Sequence, residues 1–345
     1  MREPGGPIEA PDLSRSEGLH HIRLALKAES HVVLTTHVNA DGDGAGSEAA
    51  TAHYLARLGV RATIVNPTPF PDAYRFLLDR IEAWTPADEG GRRALEEAGL
   101  VLVLDTAERS RLGAMLDPLA GKKVAVLDHH PPGPAPLGDP ALLDPSACAT
   151  GELVYDLITA DGGEVTRIEA EGLYVAIVTD TGSFRFSNTT PRTHRIAAVL
   201  LAAGVDPEAM YARLYGRVTP ARVELLRRAL GALRTDPELP VSWIALTPED
   251  FRASGAGWED LEGLVDHARQ LAGVQVALLL RGLPDGRTKV SLRSNGPLDV
   301  AEIARRFGGG GHEKAAGLLT DAPIEETLQA LLAELRAVLP PRGSC

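Results

Sequence analysis

Residues 36–50 read THVNADGDGAGSEAA. They follow HVVLT (residues 31–35), a short apolar run that reads as a buried strand. They lead into AATAHYLARLG, which reads as a helix over Glu48 to Leu58, closed by Gly59. The turn between strand and helix carries His37, Asp41 and Asp43, with glycines at Gly42, Gly44 and Gly46. The glycines are expected to let the backbone bend tightly between side chains that can ligate a metal. His37 and Asp41 then face one side of the turn and Asp43 the other, so that one loop can feed two ions.

Working outward, VRATIVN, LVLVLD (ending at Asp105) and KVAVLD (ending at Asp128) read as further strands. They are rich in valine and leucine and lack polar alternation, as strands buried on both faces do. Strands alternating with helices predict an α/β fold with a doubly wound parallel sheet. Ligands in such sheets bind beyond the C-terminal strand ends, where Asp41, Asp43, Asp105 and Asp128 all fall. GELVYDLITADGG reads as a helix stopped by Gly162 or Gly163, and EAEGLYVAIVTDTG as a helix with Asp180 near its end. PRTHRIAAVLLAAGVDPEAMYARLYG reads as helical in two pieces. PARVELLRRALGALRTDPELP is an amphipathic helix with a Pro-containing end, read as a linker. Beyond it VSWIALT, VQVALLLRGLPDGRTKVSLRSN and a last helix predict a smaller α/β domain with a mixed sheet and a hairpin turn at PDG. The expected division is a flexible lead-in over 1–15, a catalytic domain over 16–216, a helical linker over 217–238 and a substrate domain over 239–340.

Composition narrows the function. The chain has 345 residues and a formal net charge of −12, which argues against tight non-specific binding to long duplex DNA or RNA. Aromatic residues make up 4%, too few for broad base-stacking platforms. No apolar run reaches the ~18 residues of a membrane span, and MREPGGPIEAPD has no apolar segment of a secretory signal. Two cysteines, Cys148 and Cys345, suit a reducing cytoplasm, and no activating base stands near Cys148 in DPSACATG. His20, His21, His53 and His267 read as ordinary helix residues, and His31 as a surface or supporting residue. His194 is left open.

The chemistry gathers in His37, Asp41, Asp43, Asp105, Asp128, His129, His130 and Asp180. Aspartate and histidine without cysteine suit Mn²⁺ or Mg²⁺, and less specifically Zn²⁺ or Fe²⁺. One aspartate at a strand end is usually a helix cap. Four segments converging on one sheet edge would crowd carboxylates, which is costly unless cations neutralise them. Asp105, on a neighbouring strand end, could bridge two ions about 3.5–4 Å apart, the arrangement that activates water for phosphoryl hydrolysis.

These residues carry a resemblance. LDHH at Leu127 to His130 resembles the signature of the DHH phosphoesterase superfamily. HVNADGDGAGS resembles its first motif, LVLVLDTAERSRLG its second and VTDTGSFRFSNTTPRTH its fourth. RSNGPLDVAEIARRFGGGGHEKAAG resembles the DHH-associated C-terminal domain. The likeness spans nearly the whole chain after the lead-in, and the two-domain layout resembles the nanoRNase/pAp phosphatase branch more than the larger RecJ-type exonucleases. Ala40 departs from the family, where many relatives have proline; the ligands are intact. The resemblance implies that His37, Asp41 and Asp105 hold one metal, and Asp43, Asp105, His129 and Asp180 the other. It implies that Asp128 orients a ligating imidazole and that His130 faces the phosphate. It also implies substrate binding by Arg293, Ser294, Gly309, Gly310, Gly311 and His312, with Arg185 in FRFSN as a further candidate.

The reading that follows is an oligoribonuclease using two Mn²⁺ ions, with Mg²⁺ or Co²⁺ as substitutes. Its expected substrates are very short RNA and linear dinucleotides such as pGpG and pApA, released as nucleoside 5′-monophosphates by water attack, together with pAp. The second domain is expected to close over the substrate and limit its length. A cyclic di-AMP phosphodiesterase is the nearest rival; a pyrophosphatase or exopolyphosphatase shares the metal site but is disfavoured by GGGGH and RSN. A nucleotide sensor without catalysis is the rival from another class. No membrane partner is expected, and a homodimer is compatible with the sequence.

Overall fold

The computed structural model describes residues 13–132, 137–160, 162–216, 218–257, 259–261 and 263–341. Most of the expected lead-in and Cys345 lie outside them. The chain divides into two compact units between residues 217 and 218.

The first unit contains α1 (Leu13–Lys27), β1 (His31–Thr35), α2 (Gly42–Arg57), β2 (Arg61–Val65), β3 (Ala83–Trp84), α3 (Glu89–Glu97) and β4 (Leu100–Leu104). It continues through β5 (Val124–Asp128), β6 (Ala141–Leu143), α4 (Thr150–Thr159), α5 (Arg167–Asp180), α6 (Pro191–Ala202) and α7 (Pro207–Leu214). Its six strands form one parallel sheet in the order β3-β2-β1-β4-β5-β6. All residues of β1, β4 and β5 are buried, because apolar cores lie on both faces. One packs Leu34, Leu102 and Leu127 under α1, α2, α4 and α5; the other packs Val33, Val103 and Val126 with Ala94 and Leu95 of α3. The strand order reverses between β1 and β4, and residues 36–43 and Asp105 leave the sheet at that switch point.

Four expectations change here. The helix after β1 starts at Gly42, not Glu48, because Asp41 caps it: its Oδ1 accepts the N–H groups of Asp43 and Gly44, both at 3.1 Å. Gly42, Gly44 and Gly46 therefore sit inside α2 and do not bend the chain; the left-handed residue of the turn is Asn39, at φ 55°. α1 takes in Leu13 to Arg15 of the expected lead-in, and Arg15 is buried in ion pairs with Asp144, Glu152 and Asp156. His31 is buried within the sheet: Arg61 Nη2 donates to its Nδ1 (2.7 Å), leaving Nε2–H to donate to Thr63 (3.1 Å).

The second unit contains α8 (Pro220–Gly231), β7 (Leu233–Thr235), β8 (Val241–Leu246), α9 (Pro248–Ser254), α10 (Leu264–Arg269) and β9 (Val276–Gly282). After these come β10 (Thr288–Ser294), α11 (Val300–Arg306), β11 (Gly310–His312), β12 (Ala315–Thr320) and α12 (Ile324–Val338). The stretch read as a linker thus supplies a helix and an edge strand to this unit. Its sheet runs β11-β12-β10-β9-β8-β7, with β8 and β9 parallel and the other pairs antiparallel. One face packs against α11 and α12. On the other, the apolar core under α8 and α10 draws on β8 and β9, and α10 also lies against β10.

Candidate metal centre

Each candidate ligand is aimed by ordinary backbone chemistry. His37 follows β1, and its Nδ1–H donates to the Val38 carbonyl at 2.9 Å. That leaves Nε2 as the ligating nitrogen. It is buried without a hydrogen-bond partner, 3.4 Å from Asp105 Oδ2 and 3.7 Å from Asp41 Oδ2. His129 repeats the pattern: Nδ1–H donates to the Ala147 carbonyl (3.4 Å), and Nε2 is buried and unpartnered. This Nε2 lies 3.7 Å from each of three carboxylate oxygens, on Asp43, Asp105 and Asp180. His37, Asp41 and Asp105 form one group able to hold an ion; Asp43, His129 and Asp180 form another, and Asp105 with His129 and His130 a third. Asp105 faces both sides, Oδ2 toward His37 and Oδ1 toward His129. It sits at φ 61°, a backbone conformation costly for a residue with a Cβ and held here by its surroundings.

Electrostatics marks the same place as deficient in positive charge. Burial, and then the charges of Asp105, Asp180 and Asp41, push the Asp43 carboxyl well above the usual range. Burial raises Asp180 to about 6, with Asp105 and Asp41 adding to the shift. Burial alone would lower the His37 imidazole, but Asp105 and Asp41 raise it to about 10. A proton on Nε2 does in the metal-free protein what a cation would do better. Two unpartnered imidazole nitrogens among crowded carboxylates are the donor set of a hard divalent ion, so the residues fit the expected metal.

Asp128 orients His130, not the ligand-type His129. Its Oδ1 accepts from His130 Nδ1 (2.7 Å) and from the His130 backbone N–H (3.0 Å). This hydrogen bond raises the His130 pKa and leaves Nε2 as its outward nitrogen, on a side chain one-third exposed. His194 stacks on Phe184, centroids 5.0 Å apart, and Arg185 donates to the Gly182 carbonyl.

Several supporting residues were missed. The N-terminus of α4 has no side-chain cap of its own; Asp43 takes that place, accepting from Thr150 N (2.7 Å) and Gly151 N (2.9 Å). Thr150 Oγ1 also donates to Asp105 Oδ1 at 3.0 Å. Thr150 therefore holds two candidate ligands at once. Asn188 ties Asp180 Oδ2 (3.2 Å) to the Cys148 carbonyl (2.8 Å). The dipeptide Thr150-Gly151 opening a helix was the available signal; its partner, from over a hundred residues earlier, was not.

The chain's family can be tested by comparison. Residues 31–177 match the model of the DHH family, N-terminal domain, and residues 243–340 that of the DHHA1 domain. A bifunctional oligoribonuclease and PAP phosphatase from Thermus thermophilus is 35% identical over 334 residues, covering 94% of this chain and 97% of that protein. The chain belongs to the DHH family. A protein of the same name from Bacillus subtilis is 28% identical, covering 83% of this chain and 88% of its own. An exopolyphosphatase-related protein of known structure from Bacteroides fragilis superposes with a TM-score of 0.88 at 25% identity, covering 93% of this chain and 96% of that one.

In the DHHA1 region, β10 ends in Arg293 and Ser294, and register places Arg293 and His312 in one row of the sheet, separated by Ala315. Burial lowers the Arg293 pKa, and its guanidinium donates to the Leu292 carbonyl (3.0 Å). Ser294 is buried and donates to the Gly296 carbonyl (3.2 Å). A Cβ on Gly309 would lie 2.2 Å from the Gly317 carbonyl oxygen, and Gly311 adopts φ 141°. A Cβ on Gly310 would meet nothing within 4 Å. Among the described residues, no helix is long and apolar enough to cross a membrane.

Proposed function

We propose that the chain is a Mn²⁺-dependent phosphodiesterase that degrades very short RNA and linear dinucleotides to nucleoside 5′-monophosphates, and that it also removes the 3′-phosphate of pAp. The observation that carries this reading is the pair of unpartnered imidazole nitrogens, His37 Nε2 and His129 Nε2, with Asp105 presenting one carboxylate oxygen toward each. Relatives that align over most of the chain carry both activities in their names.

His37, Asp41 and Asp105 would hold one ion, and Asp43, Asp105, His129 and Asp180 the other. Bound there, two divalent cations lower the pKa of a water and neutralise charge on the phosphoryl oxygens. The side chains do the rest. Asp128 fixes the His130 ring through Nδ1 and favours its protonated form, whose Nε2–H would face the phosphate or the leaving oxygen. Thr150 and the first N–H groups of α4 keep Asp43 and Asp105 from turning away. Arg293, Ser294 and the glycines of 309–311 give the second unit an anion-binding surface in which backbone can approach the ligand closely.

The test is product analysis with Mn²⁺ on separate substrates: a ladder of 5′-labelled RNAs from the dinucleotide upward, pAp and cyclic di-AMP. Rapid loss of the shortest RNAs with longer ones spared is expected. Opening of cyclic di-AMP with RNA left intact would replace this reading by that of a second-messenger phosphodiesterase.

A further inference from the structure

The second sheet is covered unequally. On the face packed by α8 and α10, the core draws Ile244 and Leu246 from β8 and Ala277 and Leu279 from β9, and nothing from β10, β12 or β11. The opposite core takes Leu280, Val290, Leu292, Ala316 and Leu318. Strand alternation therefore turns Arg281, Lys289, Ser291, Arg293, Ala315, Gly317 and Leu319 toward the face of α8 and α10, where α10 reaches β10 but no described helix packs on β12 or β11.

Register sorts them into rows. Arg281, Lys289 and Leu319 lie side by side; Ser291, Gly317 and Gly310 form the next row; Arg293, Ala315 and His312 form the third. Beyond Leu279, which the core takes up, the middle row has almost no side chain, and space beside Gly310 is open. The result is a strip of near-bare backbone with cations at both ends.

Those cations are arranged at a cost. Arg281 and Lys289 stand directly opposite each other on antiparallel strands, where like charges destabilise the pairing. Among the described residues neither has a carboxylate within ion-pair distance, and Arg281 Nε is fully buried with no hydrogen-bond partner. Arg293, two rows away, donates to its neighbour's carbonyl and lies in the field of Asp266 on α10. In a chain of net charge −12, two facing cations without a carboxylate partner need an anion to explain them. Successive rows are about 6.7 Å apart, so the two ends are separated by about 13 Å. That separation exceeds a single phosphate and suits a chain of them.

We propose that Arg281 and Lys289 form an outlying phosphate subsite that binds the nucleotides of a short RNA beyond the first two, continuing the anion site at Arg293. This rests on the reading of the chain as an enzyme of short RNA. The subsite has no part in holding pAp or a dinucleotide, whose phosphates are used up nearer Arg293.

The test uses the full chain with Arg281→Ala and Lys289→Ala combined. Binding of a labelled RNA pentamer and of a dinucleotide is measured by anisotropy in metal-free buffer, and turnover of the dinucleotide is measured with Mn²⁺. Pentamer binding should weaken on the order of tenfold, and its salt dependence should flatten by roughly one unit of slope, as expected for loss of one to two phosphate contacts. Dinucleotide binding and turnover should stay within about twofold, the size expected of surface changes. Equal weakening of both ligands, or of neither, overturns the subsite. Failure of the wild-type protein to cleave any RNA would instead overturn the enzymatic reading, while the binding titration would still decide whether these two cations hold a polyanion.

Discussion

The chain has two glycine-rich stretches, DGDGAG in α2 and GGGG before His312, and they use glycine differently. In α2 the glycines remove side chains so that elements can touch. A Cβ on Gly46 would lie 2.4 Å from the Gly172 carbonyl oxygen of α5, and one on Gly42 2.4 Å from the Thr179 side chain. This close approach of α2 and α5 brings Asp43 and Asp180 to the same imidazole, His129. In the second stretch Gly309 packs just as closely on Gly317, but glycine also supplies conformation and open space: Gly308 and Gly311 have positive φ, and the position beside Gly310 is empty. One stretch builds a site by packing tightly. The other leaves room for a ligand.

Substitution with alanine should separate the two sharply. Gly46→Ala forces backbone against backbone and should cost about 3 kcal/mol, at the upper end for overpacking. It should also displace Asp43 and weaken Mn²⁺ binding. Gly310→Ala meets no atom and should leave stability within about 0.5 kcal/mol, while raising KM for short RNA. Urea melts of both variants, with KM for a dinucleotide, check the pair. Equal destabilisation by the two substitutions would erase the distinction.

A smaller effect is expected from Thr150→Val, which keeps the helix N–H groups on Asp43 but removes the hydroxyl that holds Asp105. Loss of such an outer hydrogen bond costs roughly 10- to 100-fold in metal affinity. Calorimetric titration of Mn²⁺ should show that loss with the melting temperature of the metal-free protein little changed. A variant that binds Mn²⁺ as the parent does would show that Asp105 needs no such support.

What the sequence disclosed, and what it withheld, follows the range of the interactions. The buried strands and the acidic residues after them were legible because valine runs and strand ends are local features. The ligand-type residues His37, Asp105, His129 and Asp180 could be picked out for the same reason. Thr150 and Asn188 were not, since each acts on a carboxylate whose position depends on tertiary packing. The glycines of α2 are not the tight bend the sequence suggests, because glycine spacing alone does not distinguish a bend from a helix packed at close range. Arg281 and Lys289 became visible together only when the register of β9 and β10 set them face to face.

The least effect, and the most specific, concerns Glu48, one turn beyond Gly44 on α2. It is fully buried; Asn66 Nδ2 donates to its Oε2 (2.9 Å), and Asn66 Oδ1 accepts the N–H of Thr36, the residue before His37. Burial pushes the Glu48 carboxyl up to about 8 from the ordinary 4.5. A carboxyl with a raised folded-state pKa binds its proton more tightly folded than unfolded. Its contribution to stability is therefore complete below about 4.5 and is lost progressively as pH rises to about 8. The metal-free protein should accordingly melt at lower temperature at pH 8 than at pH 5. Glu48→Gln, which keeps an oxygen for Asn66 and has no proton to lose, should flatten part of that slope. Melting curves of the two metal-free proteins across this range check it. An unchanged slope would mean that the site carboxylates alone carry the pH dependence, and that α2 is indifferent to the charge on its buried face.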